Sequence, residues 1–246
     1  SEAKRNATVT MLTDGVLMGF RDRSGIDLMN EVRPHYPSST EYFDRAYGSR
    51  GWSKGVTLNM AIGQGENAQT LVNMMRFYAA LAGDGTASAP YLVHPDAGVD
   101  RDLGLSPAQL LGLRRALELV VDQGTASASR SSDLEVAGKT GTAQNSHGKD
   151  HGWFIGFAPA EHPTIIVGSI MEFAEHGTNV APYVVRVIRR YVLGAGSDDQ
   201  RAIRDLTTDE APAAETLTPV PDSVAEDTTT IDTGDSTDAD SAGGLR

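Results

Sequence analysis

The stretch from Leu134 to Gln144, LEVAGKTGTAQ, decides the fold of this chain. Its apolar start and the two threonines Thr140 and Thr142 favour an extended backbone. Glycine weakens a strand, so the glycines on both sides of Lys139 indicate that a ligand or another backbone segment comes close at this point. The stretch therefore predicts a strand that lines a groove and carries a cation beside positions without side chains.

Two apolar runs follow this strand and predict a sheet. Residues 152–157 (GWFIGF) and 164–171 (TIIVGSIM) are rich in β-branched and aromatic side chains, and residues 158–163 connect them tightly. Such a pair predicts a hairpin beside the first strand, and hence an antiparallel sheet of at least three strands.

Three segments carry clear helical signals. Thr70 and Ser106 are typical N-caps, each is followed by apolar residues at helical spacing, and a glycine ends each run. Residues 181–193, with Pro182 near the start, predict the last helix. The expected fold class is therefore α/β of the α+β kind, with an antiparallel sheet flanked by helices.

The remaining segments are predicted from weaker patterns. Apolar spacing within residues 5–30 indicates a helix, whereas residues 33–56 are rich in Pro, Ser, Tyr and Gly and predict a long surface loop. Within that loop we expect Trp52 to be a packing anchor. Residues 58–65 predict a glycine-punctuated turn that leads into a helix, and residues 86–105 predict a loop with short extended pieces.

Charge is distributed unevenly along the 246 residues. Residues 197–246 hold 13 Asp and Glu against 3 Arg, whereas the first 196 residues hold 20 acids against 18 Lys and Arg. The later segment has too little apolar content to offset its ordering entropy. We therefore predict a folded domain over 1–196 and an acidic disordered tail over 197–246. The absence of a basic stripe argues against a nucleic-acid partner.

The composition also limits the chemistry. The chain contains no cysteine, which excludes disulfides and thiolate sites. No apolar run reaches the roughly 18 residues of a membrane span, and no signal peptide begins the sequence. The histidines lack metal-ligand spacing, so neither a metal site nor a cofactor is predicted. Because the chain starts at Ser1 and not at a methionine, we expect it to be a piece of a longer protein.

Six blocks of the sequence resemble, in order and approximate spacing, the transpeptidase domain of class B penicillin-binding proteins. Lys-Thr-Gly is one of three active-site signatures of these proteins, beside S-x-x-K and S-x-N. Within the second block, the sequence IGQG (62–65) is similar to that of the elongation-type members, penicillin-binding protein 2. The blocks are SGIDL (24–28), GWSKGVTLNMAIGQG (51–65), TLVNMMRFYAALAGDG (70–85), GTA (124–126), AGKTGTAQ (137–144) and HGWFIGFAPAEHPTIIV (151–167).

The resemblance implies acyl transfer. In the family, a serine attacks the carbonyl before the terminal D-alanine of a peptidoglycan stem peptide, and an amine of a neighbouring stem then takes the acyl group. β-Lactams acylate the same serine. The implied partners are stem peptides, β-lactams and a membrane glycosyltransferase of the elongation machinery. The implied location is the outer face of the cytoplasmic membrane, with an N-terminal anchoring span outside this sequence.

The resemblance also implies roles for the central stretch. Lys139 places a positive charge beside the carboxylate of the substrate, and the hydroxyls of Thr140 and Thr142 face that carboxylate. The Thr142 N–H is the implied oxyanion-hole donor, a contact whose loss typically costs about 3–4 kcal/mol. Gly141 lets the substrate backbone lie against the strand. Lys139 and Thr142 are thus the expected catalytic residues, and Thr140, Gly141 and Thr142 the expected substrate-binding residues.

The nucleophile is not identified in this sequence. Ser1 and Lys4 match S-x-x-K as a pattern. However, the first residues of a chain are poorly ordered, and a nucleophile needs a base held in place by packed structure. Ser131 to Asp133 resembles a variant of the second signature but lies just before the central strand, so we interpret it as a loop. We expect the attacking serine upstream of this sequence, and a chain that alone forms no acyl-enzyme.

Two other functions stay open on the sequence. A serine β-lactamase or a D,D-carboxypeptidase uses the same scaffold and the same Lys-Thr-Gly signature. A non-catalytic cell-wall binding module retains the fold without the chemistry. The long blocks before the central strand favour the transpeptidase, and S-x-x-K and S-x-N in frame upstream would favour an enzyme over a binding module.

Overall fold

The computed structural model of the chain describes residues 2–48, 51–93 and 99–194. These residues all belong to the first of two compact units, Ser1–Ala202, and the second unit is Ile203–Arg246. Ser1 and the predicted acidic tail over 197–246 lie outside the described residues. In chain order, the elements are α1 (Glu2–Leu17), α2 (Glu41–Tyr47), α3 (Lys54–Ala61), α4 (Leu71–Ala82), β1 (Thr86–Ala87), β2 (Arg101–Asp102), α5 (Pro107–Asp122), β3 (Ala137–Ala143), β4 (His151–Ala158), β5 (Ile165–Met171) and α6 (Gly177–Leu193).

The central sheet has the order β3-β4-β5, and both pairs of strands are antiparallel. Lys139 lies opposite Ile155, and Gly141 lies opposite Trp153. The backbone N–H of Thr164 donates to the Ala158 carbonyl at 2.9 Å and closes the connection between β4 and β5. The hairpin and the antiparallel sheet predicted from the apolar runs are confirmed.

Helices cover both faces of the sheet. On one face, Leu71 and Met75 of α4 lie against Gly168 of β5, where a Cβ atom would approach both side chains to 3.1 Å. On the other face, Val180 and Ile188 of α6 are fully buried in a core cluster with residues of β4 and α5. This arrangement confirms the helix-flanked antiparallel sheet. Among the described residues, no strand pairs with the outer edge of β3.

The helix caps form as their side-chain chemistry predicts. The Thr70 hydroxyl accepts a hydrogen bond from the Asn73 N–H at the start of α4. At the start of α5, Ser106 and Gln109 make a reciprocal capping box. The last helix begins at Gly177, earlier than predicted, so Pro182 lies inside α6 and not in its first turn.

The long surface loop predicted for residues 33–56 is wrong in its central part. Helix α2 lies within it, and Phe43 is 0% exposed in a cluster with Leu12 and Met60. Trp52 packs against Phe43 with ring centroids 5.4 Å apart, as expected of a packing anchor. Tertiary packing of aromatic side chains therefore orders a segment whose composition is typical of loops.

Two smaller predictions also need correction. Residues 58–61 form the end of α3, so only the residues after Ala61 make the predicted turn. Within residues 86–105, a two-stranded antiparallel sheet pairs Thr86 with Asp102 and Ala87 with Arg101. No helix within the described ranges has both the length and the apolar content that crossing a membrane requires.

Candidate active site

A cleft of about 640 Å³ lies beside the outer edge of β3. Its walls are β3, the turn that follows α3, one side of α4 and the cleft-facing residues of β4 and β5. The polar or charged residues that line it include Lys139, Thr140, Thr142, Gln64 and Glu172. The predicted strand therefore borders a groove, and five of its residues, Lys139 to Ala143, lie together in one wall.

The backbone of β3 presents polar groups to this cleft. The Thr140 carbonyl accepts from the Lys139 ammonium at 2.8 Å, and the Thr142 carbonyl accepts from the Gln64 carboxamide at 2.6 Å. Both carbonyls therefore point away from β4. In an antiparallel strand the N–H and the C=O of one residue point to the same side. The Thr142 N–H consequently also faces the open edge.

Lys139 is exposed, and its side chain lies on the sheet face that carries Ile155. Its ammonium donates to one backbone carbonyl, that of Thr140. An ammonium has three donors, so two remain available for a ligand. Within the described part of the chain, no ion pair joins Lys139 to an acid. The arrangement provides a cation that a carboxylate can reach from the cleft.

Thr140 is held from the side of the sheet opposite to Lys139. Its hydroxyl lies 2.9 Å from the hydroxyl of Thr125, which follows α5. Side chains alternate between the two faces of a strand, so the Lys139 ammonium and the Thr140 hydroxyl leave β3 in different directions. The contact explains what the block 124–126 contributes: Thr125 orients Thr140. Spacing in the sequence gives no signal for this pair.

Close contacts favour glycine at Gly141 of β3 and at Gly177 of α6. A Cβ atom on Gly141 would lie 3.1 Å from the Cβ atom of Trp153, on the cleft face. A Cβ atom on Gly177, the first residue of α6, would lie 2.6 Å from the Gly141 carbonyl oxygen and 2.3 Å from that of Trp153. The N-terminus of α6 therefore packs directly on the strand backbone, and on the cleft face Gly141 adds no side chain of its own beside Trp153.

The turn after α3 forms the wall opposite β3. Gly63 and Gly65 adopt φ angles of +80° and +64°, a region that favours glycine, and they flank Gln64. The Gln64 N–H donates to the Asn59 carbonyl at 2.8 Å, which fixes the backbone of the turn. The sequence predicted a glycine-punctuated turn here and matched the block to the family, but gave no sign that Gln64 crosses the cleft.

Two further groups contribute to the electrostatics of the cleft. Burial raises the pKa of Tyr78 to about 12, so its phenol is neutral at physiological pH. At the end of β4, the His151 Nδ1 atom accepts a hydrogen bond from the Phe173 N–H at 3.1 Å. His151 thereby carries its proton on Nε2 while it makes this bond. Lys139 is therefore the principal cationic feature near the strand.

The residues that the sequence analysis set aside have structural contacts. Asp133 pairs with Arg189 at 2.6 Å and also accepts a hydrogen bond from the Ser131 hydroxyl. These two contacts lower the pKa of Asp133 to about 2. Asp133 thus fastens the approach to β3 onto α6. Among the described residues, no group of acids and histidines could hold a metal ion, and no serine lines the cleft.

Comparison with known proteins agrees with this architecture. Residues 38–189 match the family model "Penicillin binding protein transpeptidase domain". Over 208 residues, the chain is 30% identical to the peptidoglycan D,D-transpeptidase MrdA of Acinetobacter baumannii, and the match covers 71% of this chain and 30% of that protein. The chain therefore spans about a third of the length of the curated relatives it matches.

Solved structures give the same result. A crystal structure of Pseudomonas aeruginosa PBP2 in complex with WCK 5153 is similar, with a TM-score of 0.64 and 31% identity over 74% of this chain and 42% of that chain. A complex between PBP2 and MreC from Helicobacter pylori gives a TM-score of 0.63 and 28% identity, over 73% of this chain and 35% of that chain.

Proposed function

The chain belongs to the penicillin-binding protein transpeptidase domain family, and on this premise we propose that it is part of an elongation-type peptidoglycan D,D-transpeptidase. The observation that carries the proposal is the open edge of β3, where Lys139 and the outward N–H of Thr142 border one cleft. A cation and an N–H donor at a free strand edge suit a peptide that ends in a carboxylate.

The proposed substrate is a stem peptide that lies along β3 as an additional strand. Lys139 attracts its terminal carboxylate from the cleft face, and the hydroxyls of Thr140 and Thr142, which leave β3 on the other face, approach it from the far side of the strand edge. The Thr142 N–H donates to the carbonyl oxygen under attack and stabilises the negative charge that develops there. Because Gly141 has no side chain, the peptide backbone can approach β3 closely. β-Lactams take the same place.

The attacking serine is proposed to lie upstream of this sequence, because none of the cleft-lining residues that the structure describes is a serine. The serine oxygen adds to the peptide carbonyl and gives up its proton, and the terminal D-alanine leaves with a proton on its amine. The amine of a second stem peptide then takes the acyl group from the serine, which regains a proton. Without that serine, the 246-residue chain binds substrate but forms no acyl-enzyme. The intact protein acts at the outer face of the cytoplasmic membrane together with a glycosyltransferase.

Peptide binding tests the groove. We expect the N-acetylated tripeptide L-Lys-D-Ala-D-Ala to shift the amide resonances of residues 139–143 and of the turn around Gln64. The substitution Lys139→Met removes the charge and should weaken binding about twofold to fivefold, a modest effect because the exposed lysine is screened by solvent. Lys54→Met, an exposed lysine at the start of α3, is the matched control and should bind normally. Shifts confined to other elements would contradict the proposed site.

Covalent labelling tests the position of the nucleophile. A fluorescent penicillin should leave no band on a denaturing gel of the 246-residue chain, because no serine within 2–48, 51–93 or 99–194 lines the cleft. The same reagent should label a longer protein that carries an S-x-x-K serine upstream. Stable labelling of the short chain, mapped to a serine within it by mass spectrometry, would overturn this part of the proposal.

A further inference from the structure

The Gln64 carboxamide occupies a backbone acceptor at the open edge of β3. Its Nε2 atom donates to the Thr142 carbonyl oxygen over 2.6 Å, although 78 residues separate the two in the chain. The outward carbonyls of a free edge strand are the acceptors that an additional strand uses. In this structure a side chain, and not a strand, makes that hydrogen bond.

We infer that Gln64 is a placeholder for a bound peptide: it holds the Thr142 carbonyl in the free protein, and a backbone N–H of the incoming acyl-donor peptide replaces it. The inference rests on the proposed function, since it concerns how that substrate reaches β3. Gln64 is thus a positioning residue, because it acts through the strand and not on the reacting atoms.

Geometry makes the two donors compete. A paired strand lies about 4.8 Å from its neighbour, with its amide nitrogen about 2.9 Å from the carbonyl it contacts. The Gln64 Nε2 atom lies 2.6 Å from the Thr142 carbonyl oxygen, close to the distance that this amide nitrogen would have. A carbonyl oxygen has a second lone pair, but the peptide backbone and the carboxamide cannot share the same volume. The peptide therefore displaces the side chain.

The displacement requires no rearrangement of the fold. The Gln64 backbone stays fixed by the hydrogen bond from its N–H to the Asn59 carbonyl, and the Asn67 N–H donates to the Gln64 carbonyl at 3.4 Å. Only the half-buried side chain must rotate, and such rotamer changes take picoseconds to nanoseconds. The hydrogen bond from Gln64 to the Thr142 carbonyl is exposed to solvent. When a bound peptide replaces it, one amide donor takes the place of another.

The Gln64 carboxamide protons report the exchange directly. In the free full chain, their resonances should show the hydrogen bond to Thr142. On saturation with N-acetylated L-Lys-D-Ala-D-Ala, they should move to the position of a solvated glutamine, while the Thr142 carbonyl carbon stays at a hydrogen-bonded shift. If the carboxamide protons keep the chemical shift of the hydrogen-bonded state while residues 139–143 respond to the peptide, Gln64 is not displaced and the inference is wrong. The proposed peptide-binding groove would then remain supported.

Affinity gives a second readout. Gln64→Met keeps the length of the side chain but removes the donor, so it should bind the tripeptide about twofold to tenfold more tightly, the range expected for one hydrogen bond. Gln144→Met, an exposed glutamine just beyond β3, is the matched control and should bind as the original chain does. Unchanged or weaker binding by Gln64→Met would overturn the inference. Failure of the peptide to move residues 139–143 in every variant would instead overturn both the groove and the placeholder.

Discussion

Two cations of this chain donate to backbone carbonyls in very different surroundings. Arg76 of α4 is 8% exposed and donates to the carbonyls of Ser24, Ala87 and Val99. Lys139 of β3 is exposed and donates to the carbonyl of Thr140. Arg76 joins Ala87 of β1 to the loop residues Ser24 and Val99, whereas Lys139 stands at the rim of a cleft.

The difference separates a structural cation from one that can bind a ligand. Burial lowers the pKa of Arg76, but an arginine side chain remains protonated in proteins, so its charge is compensated by carbonyl oxygens. Its Nε and both terminal nitrogens are engaged, and no ligand reaches it. Lys139 keeps two donors toward the cleft. Donor availability, and not charge alone, thus distinguishes the site from the interior.

The strongest test removes the buried cation. Arg76→Met should lower the free energy of unfolding by about 3 kcal/mol, because it leaves one buried and two partly buried carbonyls without a donor. Urea denaturation followed by tryptophan fluorescence measures the change. A loss below about 1 kcal/mol would show that water reaches these carbonyls. It would contradict the conclusion that Arg76 is a structural cation.

A second variant asks whether the buried site needs charge or the shape of arginine. Arg76→Lys keeps the charge but gathers its donors on a single nitrogen, which cannot span three carbonyls. We expect a loss of about 2 kcal/mol, smaller than that of the methionine variant. Equal losses for both variants, in the same denaturation experiment, would mean that the positive charge itself contributes nothing there.

The exposed cation should behave in the opposite way. Lys139→Met should change the free energy of unfolding by less than about 0.5 kcal/mol, as is usual for surface substitutions. The same variant is expected to weaken peptide binding. A large loss of stability would place Lys139 with the structural residues and remove the main support for the proposed groove.

The smallest effect concerns an exposed ion pair, between Asp133 and Arg189. The pKa of Asp133 is lowered to about 2 by Arg189 and Ser131, so the pair stabilises the fold above the unfolded pKa near 4 and loses this contribution as the pH falls toward 2. Asp133→Asn should therefore lower the melting temperature slightly at pH 7, and the gap should close between about pH 4 and pH 2. Glu161→Gln, in an exposed turn, is the control and should show no such closing gap.

Much of the scaffold follows from local sequence, but the contacts across the cleft do not. Alternation predicts β3 to β5, and side-chain caps predict α4 and α5, since these signals lie within one element. Helix α2 escapes prediction because Thr40 makes no side-chain cap and burial of Phe43 stabilises the helix. The Gln64 bond to Thr142 escapes as well, because it joins residues far apart in the chain.

The approach of α6 to β3 has a genetic consequence. A side chain on Gly177 would meet main-chain atoms of Gly141 and Trp153, and every residue type has those atoms. No second substitution at either position can make room for it. A substitution at Gly177 should therefore yield no suppressor mutation at Gly141 or Trp153. A clash between two side chains, in contrast, could be relieved by shortening one of them.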